Sequence, residues 1–407
     1  MSDNGTQVVI ACNGPMYVYN TLTNAFAQVT DPDFTGALTV SYLDGYFVYI
    51  EPNSQLVWVT ALNDPLSVDP LDFASAEGDP DGLVSSIVDH SEVWLFGTNS
   101  IEVWYDSGNV DFPLQRIQGA FNEIGCAATF SVAKLDNGLF WLGADRRGKG
   151  IVYRSNGYSG VRISTHAIEW QIQQYADISD AVAYTYQQDG HSFYVLSFPS
   201  ANATWVYDVS TQAWHERAGW SNGQFTRHRS NCQTYFSNAN VVGDYQNGNL
   251  YAFDMDKYSD HDRIQKWLRS WRALPTGQNN LKRTAHHSLQ LDCETGAVIN
   301  IDLGTGLLTQ SGELIITESG DALIQETDIS ALNQAQVMLR WSDDGGHTWS
   351  NEHWLSMGAT GEYFKRMIWR RLGMTQKLRD RVYEISGTDP VKITIVGAEL
   401  LISGTNA

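Results

Sequence analysis

The residues best placed to do chemistry lie near the C-terminal end. Ser342, Asp344, Gly346, Thr348 and Trp349 satisfy the pattern S-x-D-x-G-x-T-W, known as an Asp-box. Its chemistry is local. Asp344 can accept backbone N–H groups across a tight turn, the glycines supply positive φ, and Trp349 can pack underneath, so the box caps a β-hairpin. Just downstream is a cationic run of Lys365, Arg366, Arg370, Arg371, Lys377, Arg379 and Arg381. Two roles suit such a run: a solvated face balanced by nearby acids, or a dock for a strongly acidic surface on a neighbouring subunit or partner.

Other candidates for catalysis or metal binding fall away on spacing. His286 and His287 are adjacent, so on a strand they point to opposite faces and cannot share a metal. The turn Gly304-Thr305-Gly306 sits in a hairpin pattern rather than between strand and helix, which excludes a phosphate loop. Neither G-x-x-x-x-G-K-[ST] nor G-x-S-x-G occurs. Carboxylates are plentiful, but abundance does not define a glycosidase pair. The four cysteines, Cys12, Cys126, Cys232 and Cys293, are too dispersed for a zinc site or a C-x-x-C redox motif and read as core residues of a protein folded in a reducing cytoplasm. The expectation is therefore no metal, no cofactor and no catalytic residue. No cationic and apolar leader opens the chain, and no apolar run reaches membrane-spanning length.

The charge is high and uneven. The net formal charge is −20, and no Lys or Arg precedes Arg116, although those 115 residues hold 16 acidic ones. Up to residue 260 there are 11 basic against 29 acidic residues, and beyond it 15 against 17. A chain this acidic is ill suited to gripping a phosphate backbone, because that energy comes from cations displacing counterions. It is suited to staying soluble, or to lining a passage through which nucleic acid slides without sticking.

The elements behind these residues read as strands. Aromatics make up 12% of the chain and charged residues only 18%, which fits half-buried sheet. A short apolar and aromatic strand recurs six times: MYVYN from Met16, LVWVT from Leu56, IEVWYD from Ile101, IVYRS from Ile151, TWVYD from Thr204 and LYAFD from Leu250. The spacing of 40 to 53 residues is that of propeller blades. A second strand precedes most of these, following Asp44-Gly45, Asp89-His90, Asn137-Gly138 or Asp189-Gly190, which are hairpin signals. The segment Asn63 to Pro80 reads as a long loop between blades or an outward contact loop. Near residue 261 the segment HDRIQKWLRSWRALP reads as a helical turn or a charged linker strand and marks a boundary. Beyond it, AHHSLQLDCETG, SGELIITESG, QVMLRWSDDG and VKITIVGAELLI are alternating strands. The expected architecture is all-β: a β-propeller of about six blades over 1–260, then a smaller β-sandwich or barrel-like domain over 261–407 carrying the Asp-box hairpin.

The Asp-box resembles those of sialidases and related sugar hydrolases. In those propellers the box is repeated on several blades and an arginine cluster holds the substrate carboxylate. Here it occurs once, outside the six repeats, and the first two repeats have no arginine. A sialidase-like or carbohydrate-binding propeller acting on receptor glycans is therefore the second expectation.

The first expectation comes from two other blocks. One is DGLVSSIVDHSEVWLFGTNSIEVWYDSG, Asp81 to Gly108, with IGCAA at Ile124 to Ala128. The other is the terminal region with its DGG turn, the Trp369 to Gly373 segment WRRLG and a final strand opening on PVKI. In order and spacing these resemble the packaged-DNA stabilisation proteins of short-tailed bacteriophages, which form the tail hub or nozzle. Members of that family carry a segment ahead of the first blade-like repeat, whereas this chain enters the repeats almost at once. The resemblance implies a non-enzymatic virion tail protein, assembled in the host cytoplasm as a ring, typically a hexamer. It also implies portal or adaptor, tailspike or tail fibre and needle as partners, with double-stranded DNA passing through the lumen without specific binding. The cationic residues Lys365, Arg366, Arg370, Arg371, Arg379 and Arg381 are the expected subunit or partner contacts.

Overall fold

A computed structural model describes residues 1–146, 148–261, 263–272, 283–296, 334–359, 361–375 and 381–404. The segment SGELIITESG, the turn at 304–306, Lys377 and Arg379 lie outside these residues. The chain divides into two compact units, one of Met1–Ala218 with Phe225–Phe253, the other of Gly219–Gln224 with Asp254–Ala407.

The first unit is built from six antiparallel sheets in chain order, spanning 2–28, 40–75, 83–122, 125–162, 182–216 and 230–252. Five of the recurrent strands read from the sequence are inner members of their own sheets, Met16–Asn20, Leu56–Val59, Ile101–Asp106, Gly148–Asn156 and Ala203–Asp208, and the sixth, Leu250–Ala252, is the edge strand of the last sheet. In the four middle sheets the strand before each of these is the most deeply buried part of the unit. Phe47 to Ile50 and Leu139 to Leu142 are fully buried, every residue of them. Such continuous apolar runs arise because both faces of the sheet are covered, so neither parity of the alternation can be polar. Successive residues serve opposite neighbours. Leu139 and Trp141 join the core shared with the third sheet, Phe140 and Leu142 the core shared with the fifth. Phe47 and Tyr49 likewise pack toward the first sheet, Val48 and Ile50 toward the third. Sheets stacked face to face in chain order make this unit a β-propeller.

Type I′ turns fix the register of these hairpins, with both central residues at positive φ: Asp44 and Gly45, Asp136 and Asn137, Asp189 and Gly190. Two turns sit one residue away from the positions read in the sequence. The turn before Gly138 is centred on Asp136-Asn137, and that after Asp89 on His90 and Ser91, at φ 49° and 60°. Non-glycine residues there cost backbone strain. The strain is offset at His90, whose ring is held between Asp89 Oδ2 at 2.9 Å and Asn137 Oδ1 at 2.8 Å, linking neighbouring hairpins.

The segment Asn63 to Pro80 is not loop throughout. Phe73–Ser75 is the fourth strand of the second sheet, pairing Leu56 to Ser75 and Trp58 to Phe73, and the Phe73 ring lies 4.8 Å from that of Trp58. Three prolines and five acids mask that short edge strand in the sequence. The all-β reading also passes over one helix, His166–Gln173, whose N-cap is Thr165 and whose Ile168 and Ile172 enter the core beside the fourth and fifth sheets.

The second unit is a β-sandwich. One sheet orders Trp267–Arg272, Val382–Gly387, Gln336–Ser342 and His353–Ser356; the other orders Met367–Met374, Thr284–Cys293 and Ile395–Gly404. The segment around Trp267 and Trp271 is thus an edge strand, not a helical turn. Leu289, Leu291, Val337, Leu339, Trp369 and Ile385 form the core between the sheets.

Trp141 is fully buried between two sheets. Trp141→Ala is expected to destabilise the propeller by about 3–5 kcal/mol, read as a lowered urea midpoint for that unit.

Candidate interaction surface

The Asp-box sits where the strand Gln336–Ser342 leaves the sandwich. Ser342 Oγ donates to Asp344 Oδ1 at 2.6 Å and accepts the Gly346 N–H at 2.9 Å; Asp344 accepts from Thr348 N at 2.8 Å and Thr348 Oγ1 at 2.6 Å. Gly345 and Gly346 take φ of 77° and 105°. These donors, Ser342 first and then Thr348, hold the Asp344 carboxyl well below the usual carboxylate range. Trp349 lies against the Arg340 guanidinium, 4.7 Å from ring centre, and Arg340 in turn donates to Glu384. The Ser342, Asp344 and Thr348 side chains are all engaged in holding the turn, so the box is a structural device.

The cationic run divides into two parts. Arg366, Arg370 and Arg371 are exposed, and none forms an ion pair among the described residues. Lys365 is half-buried and donates to Ser356 Oγ at 3.1 Å. Arg381 does not share their surface. It is 2% exposed, its Nε and Nη2 grip Asp343 at 2.6 and 2.8 Å, and Nη1 donates to the Leu372 carbonyl at 2.6 Å. Arg381 therefore bonds the box region to the strand Met367–Met374 and drops out of the contact surface expected from the sequence.

A bulge creates the exposed pair. Met367, Trp369 and Leu372 point into the core, so the regular alternation breaks between 369 and 372. The register against Thr284–Cys293 shifts at that point, and Arg371 has φ 60°. The extra residue turns both Arg370 and Arg371 outward on an edge strand. A bulge of this kind leaves little trace in the residue pattern, so the sequence placed these arginines by charge alone.

His286 and His287 take opposite faces, as adjacent strand residues must. His287 is exposed; His286 is buried, with its Nδ1 2.7 Å from the Tyr383 hydroxyl and Nε2 3.0 Å from Thr284 Oγ1. Burial, then the Arg381 charge, push its pKa down to about 4. No cluster of metal-ligating side chains occurs among the described residues, and no helix among them is long and apolar enough to cross a membrane. In the first unit, two hollows of about 1000 and 650 Å³ flank the His90 turn, sharing Asp89, Asp136 and Asn137 in their walls. They mix acids, cations and amides, and in the wall of the larger one the Tyr158 hydroxyl donates to Glu92 Oε1 at 2.7 Å.

A six-sheet propeller, a β-sandwich and a site made of turns and exposed charge define a structural β-protein. The family described as "Bacteriophage P22 Gp10, beta-propeller" matches residues 1–258, and that described as "Bacteriophage P22 Gp10, beta-sandwich" matches residues 267–403. The chain belongs to the bacteriophage P22 Gp10 family, structural proteins of the phage tail rather than enzymes. No curated protein matches it. Among solved structures it is similar to the computationally designed Ika8 protein, at 15% identity and TM-score 0.36 over 61% of this chain and 68% of that one. The dihydro-heme d1 dehydrogenase NirN matches at 11% and 0.38, over 63% and 53%. The extracellular domain of the putative hybrid two component system BT4673 from B. thetaiotaomicron matches at 12% and 0.41, over 91% and 46%. The chain thus spans about half the length of the last two.

Two outcomes test the sandwich. Arg381→Ala leaves Asp343 and a strand carbonyl without their donor and is expected to cost about 3–5 kcal/mol, measured by chemical unfolding. His286 is neutral in the fold, whereas an unfolded histidine titrates near 6.5. The unfolded chain therefore binds more protons between those values, and stability is full above about 6.5 and falls as pH drops toward 4. His286→Gln is expected to flatten that slope in unfolding curves taken across the range.

Proposed function

We propose that this protein is the tail hub of a short-tailed phage, a ring of identical copies that extends the DNA exit channel below portal and adaptor, retains the packaged genome and anchors the tailspike or fibre and the needle. The observation that carries this reading is the match of both units, in order, to the two parts of one phage tail protein. In this reading the propeller, taken as 1–260, and the C-terminal domain, taken as 261–407, are the two modules of each subunit, and assembly of about six copies takes place in the host cytoplasm.

The charge supports the same reading. Each copy brings −20, nearly all of it before residue 261, and a ring of such copies repels the duplex and lets it pass without specific binding. Against that surface, Arg366, Arg370 and Arg371 are cations with no internal partner among the described residues. They supply the complementary side of a contact with an acidic neighbour, subunit or tail partner.

Electron microscopy of the purified chain tests the assembly: rings with a central channel are expected, and a strict monomer at all concentrations contradicts the hub reading. Reversing Arg366, Arg370 and Arg371 to Glu is expected to reduce ring yield, most at low salt where charge contacts are least screened. Unchanged assembly removes these arginines from the interface.

A further inference from the structure

The second sheet of the propeller carries an acidic segment that is held in place and yet shows apolar side chains to water. Residues 62–79 run from the strand Leu56–Val59 through the edge strand Phe73–Ser75 and beyond it, and they hold five acids and no Lys, Arg or His. Main-chain bonds fold the segment on its base: Ala61 N donates to the Ser67 carbonyl at 2.9 Å, Asn63 N to that of Gly45 at 2.8 Å and Val59 N to that of Asp72 at 3.1 Å. Asp31 Oδ2 accepts the Val68 N–H at 3.2 Å, and Pro65 and Val68 are buried. Leu62, Leu66, Leu71 and Phe73 nevertheless stay 58%, 40%, 78% and 41% exposed. An anchored connection that leaves four large apolar side chains in water is suited to contact with another surface.

Its charge is also left uncompensated. Asp79 pairs with Arg146 at 2.5 Å, but Asp64, Asp69, Asp72 and Glu77 form no ion pair among the described residues. Asp64 and Asp69 accept only the N–H groups of Leu66 and Leu71 in their own turns. Burial, then the Asp69 charge, push the Asp72 pKa up, as for a carboxylate with no cation beside it. The sandwich carries a segment of the opposite make-up. Tyr363, Phe364, Lys365 and Arg366 lead directly into the edge strand that presents Arg370 and Arg371. Tyr363 and Phe364 are 67% and 98% exposed. Each segment thus combines exposed apolar side chains with unpaired charge, and the signs are opposite.

We infer that the segment 62–79 of one copy docks on the segment 363–371 of the next. This rests on the ring reading above and names the acidic neighbour that Arg366, Arg370 and Arg371 meet. A second copy is the partner because the two segments complement each other in charge while both offer apolar surface, and every copy carries both. Two different surfaces make a heterologous contact, which repeats from copy to copy and closes into a ring when its rotation permits.

Charge reversal on each side tests the contact. One variant carries Asp72→Lys with Glu77→Lys, which spares the turn-capping Asp64 and Asp69; the other carries Arg366, Arg370 and Arg371 changed to Glu. Each alone is expected to raise the concentration of half-assembly about tenfold at low salt, with an unchanged thermal midpoint. Mixed in equal amounts, the two are expected to assemble again, because alternating copies then oppose unlike charges at every contact. Carbodiimide treatment of the unaltered full chain needs no variant to fold, and is expected to join Lys365 to a carboxylate of residues 64–79 in dimer and higher bands. Unimpaired assembly of the Asp72→Lys, Glu77→Lys variant while arginine reversal weakens assembly overturns this contact and leaves the ring reading standing. Recovery only when all five substitutions share one chain, or links confined to the monomer band, puts the contact within a chain and overturns the inference. An unaltered chain that stays monomeric at every concentration overturns both this inference and the ring reading.

Discussion

The constraint on which the propeller depends is that the second strand of each middle sheet is buried on both faces at once. Leu139 to Leu142 show it most fully: four consecutive side chains at zero exposure, alternately committed to the preceding and following sheets. A strand of this kind cannot be stable in its own sheet alone, because covering one face leaves the other in water. Each sheet therefore requires two neighbours, and the requirement passes along the chain until it reaches the first and last sheets.

The sandwich solves its stability differently, with a polar connection through its interior. Arg381 ties Asp343 beside the Asp-box to the strand bearing Arg370 and Arg371, while His286 and Tyr383 meet across the two sheets. Buried charge of this kind is costly unless fully paired, and here the guanidinium is bound by a carboxylate and strand carbonyls. The bulge at Arg371 then presents the unpaired cations on a well-anchored edge. In the reading proposed here, stability and attachment are divided within one cationic run: Arg381 is internal, and Arg366, Arg370 and Arg371 face outward.

Much of the fold was legible because blade periodicity and double-sided burial leave strong marks. Runs such as YFVYI and GLFWLG are apolar at every position, and Asp-Gly turns announce their hairpins. What escaped the sequence was decided by residues distant along the chain. Ser91 accepts positive φ beside a His90 held by Asn137, 47 positions away. Phe73–Ser75 is a strand because Trp58 lies beside it. Arg381 looks like its cationic neighbours until Asp343 and the Leu372 carbonyl are brought to it. The Asp-box was recognisable as a turn from its residue types alone, and its hydrogen bonds are those its spacing implies. The alternative of a sugar hydrolase lost its support with the family match, not with the turn.

In the hub reading proposed above, this chain assembles into a closed ring of identical copies. Native mass spectrometry of the full chain, taken across a wide concentration range, measures that directly. The account predicts one dominant species at a fixed multiple of the 45.4 kDa subunit mass, with no open-ended series above it. A single peak at the subunit mass throughout the range would contradict it.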